Sequence, residues 1–225
     1  MNSYAMRQRN TGVPLLSVDA VSMHFGGLKA VDGVSIAVAA RQVVGLIGPN
    51  GSGKSTLINV ISRIYEPTHG KVTLDGVDLN GVAVHHVAAL GVTRTFQNVR
   101  LFATMTVRDN LLMGTTSKTR AGFLSCGLAL PSVRREQAMV EQQVGEVAAL
   151  LGLESHLDRV AGDLPYGLQK LTELGRALIS DPKLILLDEP VAGMNSSEKL
   201  ALVAALRRIR EARTVAFLLV EHDMT

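Results

Sequence analysis

The sequence predicts an α/β fold in which a helical segment interrupts a mainly parallel sheet. Two apolar runs, VVGLI at residues 43–47 and LILL at residues 184–187, are typical of buried parallel strands, and each leads directly into polar residues. Between them, from about residue 98 to residue 180, apolar residues recur at the three- and four-residue spacing of helices. We therefore expect one α/β core with an inserted helical part, and no internal repeat.

Composition limits the classes of protein to which the chain can belong. Of its 225 residues, 47% are hydrophobic and 19% are charged, which is typical of a globular domain. The formal net charge of +3 is too small an excess to indicate a nucleic-acid partner, and the single cysteine, Cys126, excludes an internal disulfide. No apolar run reaches the ~18 residues of a membrane span, and no secretory signal is present. We expect a cytoplasmic protein.

The first half of the chain reads as short strands around one helix. SIAVA at residues 35–39 alternates as a strand does, and VVGLI predicts a central strand of a parallel sheet. Residues 71–74 followed by Asp75-Gly76 predict a strand and a turn. A helix is predicted where apolar residues recur at helical spacing, namely at Leu57, Ile58, Ile61 and Ile64.

The second half predicts helices and then strands again. Thr106-x-x-Asp109 resembles a capping box at the start of a helix. An amphipathic helix is expected through residues 140–151 and to end at Gly152, and another through residues 168–178. Strands follow at residues 184–187 and 215–220.

The motif GPNGSGKST at residues 48–56 is the most specific feature of the sequence. It fits G-x-x-x-x-G-K-[ST], follows a strand and opens a helix, which is the context that a phosphate-binding loop (P-loop) requires. Its glycines let backbone N–H groups turn toward a phosphate, and the helix N-terminus adds favourable partial charge. We expect Lys54 to bridge two nucleotide phosphates and Ser55 to bind Mg²⁺. The predicted nucleotide-binding residues of the loop are Gly48, Pro49, Asn50, Gly51, Ser52, Gly53, Lys54, Ser55 and Thr56.

A second motif, LILLDEP at residues 184–190, ends a buried strand in two carboxylates. Beside a P-loop, Asp188 is expected next to the Mg²⁺ ion, and Glu189 is the candidate general base for the attacking water. Guanine-selective P-loop proteins usually carry an N-K-x-D element, and this sequence has none. ATP is therefore the predicted nucleotide.

These motifs resemble those of ABC-transporter ATPase subunits, in the family's order and over nearly all of residues 15–225. The family places a glutamine after the core strands, a signature motif at a helix start, a D-loop after the acidic motif and a histidine after a late strand. The matching segments are TRTFQN with Gln97, LPYGLQK at residues 164–170, VAGMN at residues 191–195, and EHD with His222. The resemblance implies a P-loop NTPase (RecA-like) core with an antiparallel β subdomain and an inserted α-helical subdomain.

The resemblance also implies roles for particular residues. The implied catalytic residues are Glu189, His222 and Gln97. The implied Mg²⁺ ligands are Ser55, Gln97 and Asp188. Phe25, in HFGGLKAVDGVS, would stack on adenine, although a plain core position is the alternative. The implied division is a flexible segment at residues 1–14, a nucleotide-binding core at residues 15–97 and 181–225, and a helical signature subdomain at residues 98–180.

TRTFQNVRLFATMTVRDNLLMG, LPYGLQK and EPVAGMN resemble the branch of ATPase subunits that serves branched-chain amino acid importers. The implied partners are transmembrane permease subunits at the inner face of the cell membrane, a second ATPase subunit (the same chain or a paralogue) and, indirectly, an extracytoplasmic solute-binding protein. Apolar residues from Phe96 to Met105 would dock the permease, or else pack the helical subdomain on the core. An ATPase subunit of a lipid or lipopolysaccharide exporter is the alternative function. A non-enzymatic nucleotide-binding module is disfavoured because Glu189 and His222 are both present.

Two features depart from the family pattern. The signature has Pro165, Tyr166 and Leu168 where the general form has serine, glycine and glutamine, which we interpret as a subtype of the branch. In the family, two chains sandwich two MgATP, so Tyr166 and Gly167 would contact ATP held by the other chain. The sequence ends at Thr225, three residues after His222, whereas family members continue with further strands. We expect a version lacking those strands to be less stable, because a sheet edge would be exposed.

Overall fold

The computed structural model describes residues 13–95, 99–115 and 131–221, excepting the side chains of residues 131–136. These residues form two sheets. The antiparallel sheet has the strand order β2-β1-β4-β5 and consists of β1 (Leu16–Phe25), β2 (Leu28–Val38), β4 (His69–Leu74) and β5 (Val77–Asp78). The parallel sheet has the order β3-β8-β7-β6 and consists of β3 (Val43–Ile47), β6 (Val92–Thr95), β7 (Leu184–Asp188) and β8 (Ala216–Glu221).

Helices connect and cover these sheets. Among the described residues they are α1 (Lys54–Ile61), α2 (Val84–Ala89), α3 (Val107–Met113), α4 (Pro131–Leu151), α5 (Tyr166–Leu178) and α6 (Ser196–Ala212). The predicted capping box is confirmed at α3, where the Thr106 hydroxyl accepts from Asp109 N and the Asp109 carboxylate accepts from Thr106 N. The predicted end of α4 at Gly152 is also confirmed, because this residue has φ +71°, which glycine adopts without strain.

The parallel sheet separates two hydrophobic cores, because β7 and β8 bury alternate side chains on opposite faces. Ile185, Leu187 and Phe217 pack on one face with the helical part of the chain. Leu186 and Leu218 pack on the other face with α1 and the antiparallel sheet. This arrangement accounts for the unbroken apolar sequences of β7 and β8, since both faces of each strand are covered.

The prediction that β3 is a central strand is wrong for the described part of the chain. β3 has the predicted bounds and pairs in parallel with β8, but it lies at the edge of the sheet. Val43 and Ile47 are 40% and 53% exposed, while Val44 and Leu46 pack on the core. An unbroken apolar run predicts a strand, but it does not specify whether one or two neighbouring strands pair with it.

The predicted fold class is confirmed: an α/β core, an antiparallel β part and helices between β6 and β7 are all present. The exact division into subdomains stays a prediction. No helix in the described ranges combines the length and the apolar character that crossing a bilayer requires.

Candidate functional site

The parallel strands bring the two predicted motifs to one edge of the sheet. Ile47, the last residue of β3, lies opposite Glu221 of β8, and Val220 lies opposite Asp188, the last residue of β7. The P-loop follows β3 directly, so the loop and Asp188 flank the carboxyl end of β8. Ligands of open α/β sheets bind at this edge.

The P-loop turns sharply into α1. Gly53 precedes the helix with φ +87°, and a Cβ atom there would overlap the carbonyl oxygen of Ala30 in β2. The Lys54 amine folds back over the loop, where it donates to the carbonyl oxygens of Gly48 at 2.6 Å and Pro49 at 2.8 Å. The position before α1 therefore requires glycine, and the loop places a cation and helix N–H groups where a phosphate would be bound.

Glu189 has an unusual backbone conformation directly after β7. Its φ is +47°, a left-handed value that costs a non-glycine residue about 1–3 kcal/mol. Its N–H donates to the carbonyl oxygen of Val220 at 3.0 Å, which holds the turn against β8. The chain thus bends immediately after Asp188, and the half-buried Glu189 lies at the same sheet edge. Such strain is concentrated at functional sites.

Asp188 forms an ion pair that connects three elements. Its Oδ2 atom lies 2.7 Å from a terminal nitrogen of Arg94 in β6, and the other terminal nitrogen of Arg94 donates to Asn59 Oδ1 in α1 at 2.6 Å. Asp188 is only 7% exposed. The guanidinium therefore links the P-loop helix to the end of β7.

The helix that begins in the signature motif, α5, contributes a buried cation near this edge. Burial lowers the pKa of Lys170, and the negative charges of Glu173, Asp188, Glu189 and Glu221 act in the opposite direction. The Lys170 amine also lies 5.9 Å from the centre of the Tyr166 ring. The signature helix and the acidic motif thus share one electrostatic environment.

Tyr166 and Gly167 meet the D-loop of their own chain. Gly167 N donates to Glu198 Oε1 at 2.9 Å, and the Tyr166 ring lies beside Gly193, where a Cβ atom would be 3.2 Å from Tyr166 Cε1. Burial raises the pKa of the Tyr166 phenol, and the charges of Glu173 and Glu198 add to this effect. Tyr166 and Gly167 thus connect the start of α5 to the D-loop and to the first turn of α6.

Phe25 lies at the end of β1, where the chain turns into β2. Its ring is 42% exposed and packs edge-to-face on Tyr65, with 5.3 Å between ring centres. It is therefore not a plain core residue, and base stacking by its exposed part stays a prediction. Gln97 and His222 lie outside the described residues.

A P-loop after one parallel strand, with two carboxylates ending another strand, defines a P-loop nucleotide-binding protein. The chain belongs to the ABC transporter family: the model of that family, described as "ABC transporter", matches residues 31–192.

Its relatives narrow this membership to a branch. The chain is 40% identical to the high-affinity branched-chain amino acid transport ATP-binding protein BraF of Pseudomonas aeruginosa, over 94% of this chain and 83% of the relative. The same values hold for the LivG protein of the same description in Escherichia coli. Among solved structures, the ADP conformation of MJ1267, an ATP-binding cassette of an ABC transporter, is similar with a TM-score of 0.81 and 34% identity, over 95% of this chain and 83% of that one.

These comparisons confirm the predicted family and its ATP-binding role, and the cassettes of this family are transport ATPases. They also confirm the resemblance to the branched-chain amino acid branch. The roles of individual site residues stay predictions.

Sequence reasoning missed Arg94 and Glu198 and gave no role to Lys170. A charged residue inside the short strand VTRT is a signal that could have identified Arg94, because such strands are covered on both faces. The spacing NSSE at residues 195–198 could have identified Glu198 as part of a capping box.

Proposed function

We propose that this chain is the ATP-hydrolysing subunit of an ABC importer for branched-chain or similarly hydrophobic amino acids. One observation carries the proposal: the P-loop, Asp188 and Glu189 share one sheet edge in a chain that is 40% identical to BraF and LivG. The P-loop and the acidic pair supply the groups that phosphoryl transfer needs, and the relatives supply the class of solute.

Within one chain, the P-loop N–H groups and Lys54 bind the β- and γ-phosphates of ATP. Glu189 accepts a proton from the attacking water, and its position directly after β7, with a backbone N–H bonded to Val220, supports this role. Gln97 and His222 complete the site by orienting the water and the γ-phosphate.

The residues present fit a magnesium ion. The Ser55 hydroxyl and the Asp188 carboxylate are hard oxygen donors, which Mg²⁺ prefers, and they belong to the two motifs that the sheet edge brings together. When bound, Mg²⁺ neutralises charge on the phosphates. Gln97 is the third proposed ligand.

A second ATPase subunit, either the same chain or a paralogue, supplies Tyr166, Gly167 and the D-loop to the nucleotide of the first. In support, Tyr166 remains 37% exposed although it opens a well-packed helix.

The loop before α3 is the proposed docking site for the permease. Phe102 and Met105 are 43% and 38% exposed there. Fully buried Asn110 holds this loop, because its side chain accepts from Phe102 N and donates to the carbonyl oxygens of Phe102 and Thr106. A rigid loop with apolar side chains suits an interface with a membrane partner, and it would place the chain at the cytoplasmic face.

The test is transport by proteoliposomes that contain the chain with its permease subunits, ATP inside, and the solute-binding protein outside. Labelled leucine, isoleucine or valine should accumulate, and Glu189→Gln should abolish accumulation. Glu154→Gln, an exposed glutamate on the helical side, is the matched control and should transport normally. ATP hydrolysis without uptake of any of the three, but with extraction of lipid, would favour the exporter alternative.

A further inference from the structure

Arg94 and Asp188 form a nearly buried ion pair at the proposed metal site. Their side chains are 14% and 10% exposed, and 2.7 Å separates the guanidinium from Asp188 Oδ2. The guanidinium also donates to Asn59 Oδ1 of α1 at 2.6 Å. Arg94 therefore lies between the helix of the P-loop and the carboxylate that is proposed to face Mg²⁺.

A buried carboxylate needs a compensating positive charge, because desolvation of an unpaired charge is costly. Arg94 provides that charge through a direct contact. Lys170 is a second cation whose field reaches Asp188, but it also faces Glu173, Glu189 and Glu221. The charge on Arg94 is thus the one most closely tied to Asp188.

Mg²⁺ near the same carboxylate would experience repulsion from this guanidinium, since two cations a few ångströms apart in a poorly hydrated site repel strongly. Arg94 thus stabilises Asp188 while no metal is bound, and it weakens the attraction that Asp188 offers to a metal. Both effects act in the same direction: they reduce the gain from binding Mg²⁺.

We propose that Arg94 is the counter-cation of Asp188, and that its charge competes with that of Mg²⁺ for this carboxylate. Arg94 then sets how strongly nucleotide binding depends on Mg²⁺. This inference rests on the proposed function, because it takes Asp188 as the residue that faces the metal. It assigns Arg94 a positioning and charge-compensating role, with no contact to the reacting atoms.

The test measures dissociation constants for ADP and for a non-hydrolysable ATP analogue, each in EDTA and in Mg²⁺. For each nucleotide, the constant in EDTA divided by the constant in Mg²⁺ gives the coupling between metal and nucleotide. Arg94→Gln removes the charge but keeps a hydrogen-bond donor, and its ratio should exceed that of the wild type by about tenfold. Arg94→Lys keeps the charge, and its ratio should match the wild type. Arg63→Gln is the matched control, because Arg63 is also buried but pairs with Glu66 and Val82 O, away from Asp188.

Equal ratios in the wild type and Arg94→Gln would overturn the inference and leave a merely structural ion pair. A smaller ratio in Arg94→Gln would also overturn it, since Arg94 would then assist the metal. A wild-type chain that binds neither nucleotide would overturn the proposed function itself. If Arg94→Gln does not fold, the test uses the guanidinium NMR signal of Arg94 in the wild type instead. This signal is assigned by its loss in Arg94→Lys. That signal should shift when Mg²⁺ is added to the ADP-bound wild type, and an unchanged signal would refute the inference.

Discussion

Replacing Glu198 by alanine should destabilise the chain far more than an ordinary helix-cap substitution. Glu198 Oε2 accepts from Asn195 N at 3.0 Å, which completes the capping box of α6. Its Oε1 accepts from Gly167 N at 2.9 Å, in the first turn of α5. One carboxylate therefore caps two helices, and one of them begins in the signature motif.

The expected magnitude follows from these contacts. Losing the carboxylate half of a capping box costs about 0.5–1 kcal/mol. Leaving the partly buried Gly167 N–H without its charged acceptor costs about 1.5–3 kcal/mol. Glu198→Ala should therefore lower the free energy of unfolding by about 2–4 kcal/mol. Asp109→Ala is the matched control, because Asp109 holds the same position in the capping box of α3, and among the described residues its carboxylate accepts only from Thr106.

Urea unfolding followed by circular dichroism gives both free energies from the midpoint and the slope of each transition. Glu198→Gln, which keeps one acceptor oxygen, should fall between the wild type and Glu198→Ala. Equal losses for Glu198→Ala and Asp109→Ala would refute the reasoning, because the bond to Gly167 would then contribute nothing.

Three further predictions concern glycines and the signature tyrosine. Gly53→Ala should abolish binding of a fluorescent ATP analogue, because its Cβ overlaps the Ala30 carbonyl oxygen. Gly145→Ala in α4, where a Cβ atom meets open space, should still bind, and equal defects would contradict the steric argument. Gly193→Ala should lower the free energy of unfolding in urea by about 1–2 kcal/mol, because φ is +77° there, and an unchanged midpoint would show that the loop relaxes. Tyr166 should ionise above the ordinary tyrosine value of 10.0, measured as the difference in ultraviolet titration between the wild type and Tyr166→Phe. Because the pKa of Tyr166 is higher in the folded chain than in the unfolded chain, the neutral phenol contributes fully to stability below about pH 10. This contribution is lost as the pH rises through the folded pKa, and a titration step at or below pH 10 would contradict the prediction.

The sequence was sufficient for elements whose signal is local. VVGLI matches the bounds of β3, LILL ends one residue before β7 does, and the capping box of α3 was visible in four residues. The P-loop could also be predicted from the sequence, because its glycines and lysine at fixed spacing form one local backbone conformation.

The sequence was not sufficient for contacts between distant segments. Arg94 and Asp188 are separated by 94 positions, and Gly167 and Glu198 by 31, so their pairing depends on strand order and helix packing. The edge position of β3 was missed for the same reason. Local apolar patterning reports burial, and it carries no information on which segments lie side by side.

The central claim is that this chain hydrolyses ATP with Glu189 as the base. The most direct measurement is Mg²⁺-dependent ATP hydrolysis over a range of protein concentrations, with Glu189→Gln and Glu154→Gln in parallel. We predict a rate that rises more steeply than linearly with protein concentration, that Glu189→Gln abolishes and that Glu154→Gln preserves. Hydrolysis by Glu189→Gln at the wild-type rate, or none by the wild type even with its permease subunits, would contradict the account.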